Sequence, residues 1–250
     1  REPIPVIPTV HYNMGGIPTN FHGEVVTLRE GNPDFVVKGL MALGEAGCVS
    51  VHGANRLGSN SLLDLIVFGR AAAKRCAEII DPQSATPEIP AEIVIDRLKR
   101  FDEIRFADGT MATAQLRDKM QRAMQKDVAV FRTEETLKEG YDAILEAYQQ
   151  FKEIKVYDRS LIWNSDLVET LELANLLACS LTTVASAYNR QESRGAHELE
   201  AFPKREDQGW MKNTLAWVDA EGDVSIDYRP VRNFTLTDEV AYIPPEERSY

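Results

Sequence analysis

The stretch His52-Gly53-Ala54-Asn55-Arg56-Leu57-Gly58-Ser59-Asn60-Ser61-Leu62-Leu63-Asp64 sets an imidazole, a guanidinium and two small-residue turns directly before an apolar helix. Asn60 or Ser61 has the side chain of an N-cap. The spacing of Leu62, Leu63, Ile66, Val67, Ala71 and Ala72 predicts a helix running to about Ile80 with a wide buried face. The first N–H groups of such a helix lack intrahelical acceptors, and the positive end of its dipole favours negative charge in front of it. Arg56, just upstream, carries a planar fork suited to a carboxylate or a phosphate. The competing reading makes Arg56 a salt-bridged surface residue and Asn60 a plain cap. The convergence of dipole, caps, small residues, Arg and His favours an anion site.

Upstream of this stretch the chain reads as α/β. Val- and Leu-rich runs at 23–30 and 35–43 predict strands on either side of a Gly31-Asn32-Pro33-Asp34 turn. Gly44-Glu45-Ala46-Gly47 follows the apolar run 40–43, which places Glu45 at the end of a buried strand. Ligands of α/β sheets bind there, and a carboxylate can accept from a ribose or ribityl hydroxyl; a solvated turn carboxylate is the alternative. His11-Tyr12-Asn13-Met14-Gly15-Gly16 puts an imidazole before a Gly pair that lets backbone approach a ligand, although a His before a turn is more commonly structural. The opening Arg1-Glu2-Pro3-Ile4-Pro5-Val6-Ile7-Pro8 reads as an interior linker or strand entry, so a fragment, a processed product or one piece of a split protein is expected.

Downstream, the prolines of 81–90 mark a linker. Helices are predicted over 92–101, 113–131, from Thr133 onward with Glu134 and Glu135 complementing the dipole, and over 166–191. Leu137, Tyr141, Ile144, Leu145, Tyr148, Phe151 and Ile154 form one apolar stripe. Leu167, Leu171, Ala174, Leu177, Leu181, Val184 and Tyr188 form another, and an antiparallel bundle follows. Cys76 and Cys179 fall on apolar helix faces as packing residues. Residues 192–197 read as a C-terminal cap region, with Arg194 and His197 facing helix carbonyls. His22 reads as a turn residue. Alternation over 213–218 and 223–228 about Ala220-Glu221-Gly222 predicts a hairpin, followed by an extended polar tail.

Composition narrows the function classes. The 250 residues are 44% apolar and 27% charged, which is enough for a sizeable core. A formal charge of -11 without a dense Lys/Arg stripe argues against nucleic acid, while a local Arg/His pocket can still hold a small anion. The three cysteines show no disulfide or zinc spacing, so no metal site is assigned and a reducing compartment fits. No run of about twenty apolar residues is present, and a membrane span is not expected. Ser61, Asp64 and His52 do not make a serine hydrolase, because the strand–GxSxG–helix elbow is missing.

His11-Tyr12-Asn13-Met14-Gly15-Gly16-Ile17-Pro18-Thr19-Asn20, Gly44-Glu45, the run from His52 to Asp64, the run from Glu192 to His197 and the ending Arg248-Ser249-Tyr250 together resemble the succinate dehydrogenase/fumarate reductase flavoprotein family. The resemblance spans the chain but covers only the C-terminal part of such a subunit. It implies the end of a Rossmann-like FAD-binding domain followed by an antiparallel helical C-terminal domain and a small β tail. The implied boundaries are 1–10 for the exit from a capping domain, 11–85 for the FAD-binding part, 90–205 for the bundle and 206–250 for the tail. It further implies that His11, Arg56 and Ser59 hold a dicarboxylate and that Glu45, Ser61 and Leu62 contact FAD. The implied reaction takes a hydride from succinate to the flavin and a proton from the neighbouring methylene, with Arg56 and His11 binding and orienting rather than moving protons.

Implied partners are the N-terminal portion of the flavoprotein, an iron–sulfur subunit passing electrons to quinone, and membrane anchors. The implied location is peripheral on the inner membrane, at the cytoplasmic face in bacteria or the matrix side in mitochondria. The sequence departs from a whole subunit in lacking a GxGxxG fingerprint, the histidine that carries covalent FAD, and the proton-shuttling arginine. No catalytic residue is therefore assigned within the chain, which is expected to be inactive alone. Glu198-Leu199-Glu200-Ala201 also departs from what usually follows this His. A fumarate reductase, an L-aspartate oxidase relative and a non-catalytic structural module remain as alternatives.

Overall fold

A computed structural model describes residues 3–5, 14–235 and 237–246. Its first part is small. Strand β1 (Ile17–Pro18) is followed by the hairpin β2 (Glu24–Arg29) and β3 (Asn32–Met41), and β4 (Gly47–Cys48) returns to pair in parallel with β1. Helix α1 (Asn60–Ile79) then packs on the hairpin, with Arg75 Nε donating to Glu24 Oε1 at 3.0 Å. The hairpin turn is tighter than the sequence suggests. Glu30 and Gly31 both take positive φ (52° and 78°), the signature of a two-residue turn whose twist matches the strands. Asn32, Pro33 and Asp34 therefore belong to β3, and Pro33 is tolerated because the register shifts there.

The linker 81–90 is fully exposed and leads to α2 (Ala91–Arg105), none of whose residues is buried. The core lies in the next three helices. Strand β5 (Met111–Ala112) leads into α3 (Thr113–Asp127), β6 (Phe131–Arg132) into α4 (Glu134–Gln150), and β7 (Ile154–Lys155) precedes α5 (Ser165–Asn189). Direction follows from the contacts. Lys119 of α3 meets Gln150 at the end of α4, and Lys126 meets Glu139 at its start, so these two helices run antiparallel. Thr113 and Thr170 share a buried hydroxyl contact at 2.7 Å, which sets α5 alongside α3. Leu116, Leu137, Ile144, Leu173, Leu177, Leu181 and Val184 are all fully buried between them. Helix α5 has the length and apolarity to cross a membrane, but these leucines are the centre of the bundle. A four-residue helix, α6 (Asp207–Trp210), follows β8 (Glu198–Leu199) and brings the α-helices among the described residues to six. The antiparallel hairpin β9 (Lys212–Val218) and β10 (Val224–Pro230) packs back on α5.

Helix α4 shows how local sequence sets a boundary. Thr133 Oγ1 accepts from Thr136 N–H, and Thr136 Oγ1 accepts from Thr133 N–H, both at 3.0 Å, a reciprocal cap of the first turn. Thr133→Ala is expected to lower stability by about 1 kcal/mol, read as a shift in the denaturation midpoint with unchanged slope.

Several expectations are corrected. Helix α3 stops at Asp127, because Phe131–Arg132 pairs with Glu198–Leu199 instead of continuing the helix. Tyr188 is exposed in the last turn of α5 although it continues the periodic stripe. Cys179 is exposed, since it lies on the outer side of α5, whereas Cys76 packs its sulfur against Met41 at 3.4 Å. The tail carries exposed Phe234, Val240 and Ile243 and is less polar than expected.

Candidate functional site

The segment 49–59 crosses from β4 to α1 and is held at three points. His52 Nε2 lies 2.8 Å from Asp64 Oδ2, and both side chains are less than a tenth exposed. Arg56 Nη1 donates to Ser61 Oγ at 2.6 Å, folding the guanidinium over the start of α1. Ala54 accepts through its carbonyl from Ala196 N–H at 2.9 Å, which joins the segment to the turn beyond α5. The structure thus brings Arg56 and Ser61 together at the start of α1, a bond between them that the sequence reading did not foresee.

The helix start differs in detail. Ser59, not Asn60 or Ser61, is the N-cap; it takes φ +68° and makes no side-chain capping bond. Leu62 N–H is taken by Ser59 C=O at 3.2 Å, and Asn60 N–H by Leu57 C=O at the same distance. A polar residue at Asn60 or Ser61 is not needed as a cap because the backbone tightens the first turn.

The expected buried face of α1 is also overturned. Leu62, Leu63, Ile66 and Val67 are all more than half exposed, while Asp64 and Ala72 face inward. The helix is two-sided: Asp64 and Ala72 are buried against the chain, and the Leu62, Leu63, Ile66 and Val67 side is largely exposed. Periodicity marks an apolar face but does not say whether the chain covers it.

Glu45 lies on a 3₁₀ turn, Gly44–Ala46, and is exposed; β3 ends earlier, at Met41, with Leu40 and Leu43 exposed, so no buried strand leads to it. This turn packs on the first turns of α1, where Gly44 lies against Leu65. Gly16 has φ +125°, and a Cβ there would stand 2.7 Å from the Ala46 carbonyl oxygen. Its glycine serves chain-to-chain approach beside Glu45. His11 lies outside the described residues. His22 sits in a turn in which its N–H donates to Asn20 Oδ1, as expected.

Residues 192–197 prove to be an electrostatic knot. Glu192 is fully buried; its Oε1 accepts from Arg190 and Arg194 at 2.6 and 2.7 Å, and its Oε2 from Arg194 and the Glu206 N–H. Burial pushes this carboxyl up, but Arg194, the Glu206 N–H and Arg190 together hold it below the ordinary value. Arg194 is thus an ion-pair partner of Glu192 and Asp207, not a cap of helix carbonyls, because two carboxylates outcompete neutral oxygens for its fork. His197 does face a carbonyl, that of Arg190, at 3.2 Å. Its ring is held below the ordinary imidazole value by burial first and by Arg132 and Arg190 second.

Further ties join the two parts of the chain. Arg229, nine-tenths buried, donates to Asp34 Oδ1 at 2.8 Å and to Thr19 C=O, and Asn213 Nδ2 donates to Ser50 Oγ. Sequence reading missed Asp34 and Arg229 as partners because they lie far apart in the chain.

Residues 117–250 match the family described as fumarate reductase flavoprotein C-term, and residues 1–62 match the FAD binding domain family. FAD is thus the cofactor of the domain to which the first region corresponds. The succinate dehydrogenase flavoprotein subunit of Rickettsia conorii is 58% identical over the whole chain, which covers 42% of that protein. The mitochondrial succinate dehydrogenase [ubiquinone] flavoprotein subunit of Oryza sativa is 54% identical over the whole chain, covering 40% of it. In three dimensions an E. coli quinol fumarate reductase chain superposes with a TM-score of 0.83 and 36% identity, over 98% of this chain and 40% of that one. The chain spans about two fifths of the length of the curated relatives it matches. With more than half of its residues matched, the chain belongs to the fumarate reductase flavoprotein C-terminal family.

Proposed function

We propose that this chain supplies one side of a succinate/fumarate site, completed by an N-terminal portion that carries the rest of an FAD-binding domain and a capping domain. The observation that carries the reading is the start of α1. Arg56 is folded onto Ser61 there, next to the exposed first-turn residue Leu62, on the helix that packs against the turn carrying Glu45. In this reading Arg56, His11 and Ser59 hold the dicarboxylate: Arg56 offers a bidentate fork, and Ser59 sits where the helix dipole favours an anion.

The residues present fit a flavin. Leu62 gives an apolar surface at the positive end of α1, Ser61 gives a hydroxyl, and the Glu45 carboxylate is exposed and able to accept from a ribityl or ribose hydroxyl. When bound, FAD supplies the two-electron acceptor. The chain's own residues bind and orient the substrate and neutralise its carboxylates, while the proton-transferring group comes from the N-terminal portion.

The uncovered Leu62, Leu63, Ile66 and Val67 face of α1 supports that portion as its cover, since apolar surface of this extent is normally buried. Residues 11–85 then complete a Rossmann-like FAD-binding domain, 90–205 form the helical domain, and 206–250 form the tail. Succinate oxidation with electrons passed through an iron–sulfur subunit to quinone is the preferred activity, on a complex held at a membrane by anchor subunits. The high identity to the Rickettsia and Oryza subunits favours it over fumarate reduction and over L-aspartate oxidation.

The test is an assay of the complete flavoprotein with succinate, fumarate and aspartate. Oxidation of succinate to an artificial acceptor is expected to dominate, and an iron–sulfur subunit to co-purify. Preferential oxidation of aspartate, or no turnover of any of the three by the flavin-loaded protein, would overturn the reading.

A further inference from the structure

The turn beyond α5 has no role in the proposed site, yet it touches the segment that carries Arg56. Arg194 and His197 bridge each other through both backbone N–H groups, at 2.8 and 3.1 Å. Below them Glu192 is buried under two arginines, and Arg194 also pairs with Asp207 at 2.6 Å.

The His197 ring is held on both nitrogens. Arg132 Nη1 lies 2.8 Å from Nδ1, and the Arg190 carbonyl lies 3.2 Å from Nε2. A guanidinium can only donate and a carbonyl can only accept, so Nδ1 carries the lone pair and Nε2 the proton. Arg132 is fixed in turn by donating to the Val128 and Ala129 carbonyls at the end of α3. Three elements of the helical domain therefore clamp one four-residue turn.

The tip of that turn meets the 49–59 segment backbone to backbone. Ala196 N–H donates to the Ala54 carbonyl at 2.9 Å. Gly195 has φ +59°, and a Cβ there would stand 2.5 Å from the Ala54 carbonyl carbon and oxygen. Two independent features thus require Gly195: its left-handed backbone and the close approach to Ala54. Ala54 is two residues before Arg56.

We infer that the Gly195–Ala196 tip, clamped through His197, is a positioning element that sets the place of Ala54 and through it the Arg56 guanidinium. This rests on the reading of Arg56 as a dicarboxylate ligand. Displacing the tip moves the backbone that carries Arg56 directly, and the first turn of α1 only through Arg56 and the chain between them. Substrate binding should suffer more than flavin binding.

The experiment uses the complete flavoprotein with Gly195→Ala and, in case that variant does not fold, His197→Ala. Ile144→Val serves as a core change remote from the turn. Both turn variants are expected to keep their flavin and to show KM for succinate raised about tenfold, with kcat lowered less than about threefold. Ile144→Val should lower the denaturation midpoint and leave KM within about twofold of the parent. An unchanged KM in a folded turn variant overturns the inference, whatever happens to kcat, and so does an equal rise in Ile144→Val. Arg56→Ala separates the two levels. If it binds dicarboxylate normally, the reading of Arg56 fails; if it loses binding while the turn variants keep it, only the positioning inference fails.

Discussion

Arg56→Ala in the complete flavoprotein is expected to lower succinate turnover by roughly 10²- to 10³-fold with FAD still bound, the loss typical of removing one preorganised charged donor. The guanidinium is anchored by its 2.6 Å bond to Ser61 at the start of α1. Its carrier segment is pinned by the buried His52–Asp64 pair on one side and by Ala196 on the other. The side chain is thus held in place before substrate arrives, which is the condition under which a charged donor contributes most. Arg56→Lys should restore little, because an ammonium cannot present two parallel N–H donors to one carboxylate. Flavin absorbance and steady-state rates on the same preparation check both halves of the prediction. Near-parental turnover in Arg56→Ala would remove Arg56 from the site.

Glu192→Gln is expected to be the largest stability loss, about 3–5 kcal/mol by denaturant unfolding, because it leaves two largely buried arginines without their shared carboxylate. The same knot makes the fold sensitive to acid. Glu192 has a folded pKa below its ordinary value of 4.5, so its contribution is complete above that value and is lost as pH falls through the lowered one. His197 is also lowered, from an ordinary 6.5, so the unfolded chain takes up this proton first as pH drops. Stability should begin to fall below about the ordinary imidazole value and fall further in the carboxylate range. Removing the His197 imidazole should abolish the first step, and Glu192→Gln the Glu192 part of the second. A flat stability profile from neutral pH down through both ranges would show that neither group is held as described.

Sequence reading found elements whose stabilising partners are close in the chain. The cap at Thr133, the stripe of α4 and the β9–β10 hairpin all follow from residues within a few positions of one another. It failed where the partner is distant. Tertiary closeness of Asp64 to His52, of Glu192 to the Glu206 N–H, and of Arg229 to Asp34 leaves no periodic trace.

The misplaced turn at 31–34 has another cause. Asn-Pro-Asp is strong turn chemistry, but the strand twist is better matched by positive φ at Glu30 and Gly31. The gathering of Arg56 at the start of α1 was legible because helix-start physics acts over a few residues. Glu45 was legible by its neighbourhood but not by its setting, since the strand assumed before it is neither buried nor that long. The apolar side of α1 was read as a buried face, whereas Leu62, Leu63, Ile66 and Val67 are more than half exposed, because periodicity marks a face without naming what packs on it.

In the proposed function the start of α1 is where dicarboxylate and flavin meet. The most direct measurement is the change in flavin absorbance when malonate is titrated into the complete flavoprotein and into its Arg56→Ala variant. A saturable difference spectrum is expected in the parent and none in the variant, at equal flavin content. The same saturable change in both, or none in the parent, would contradict it.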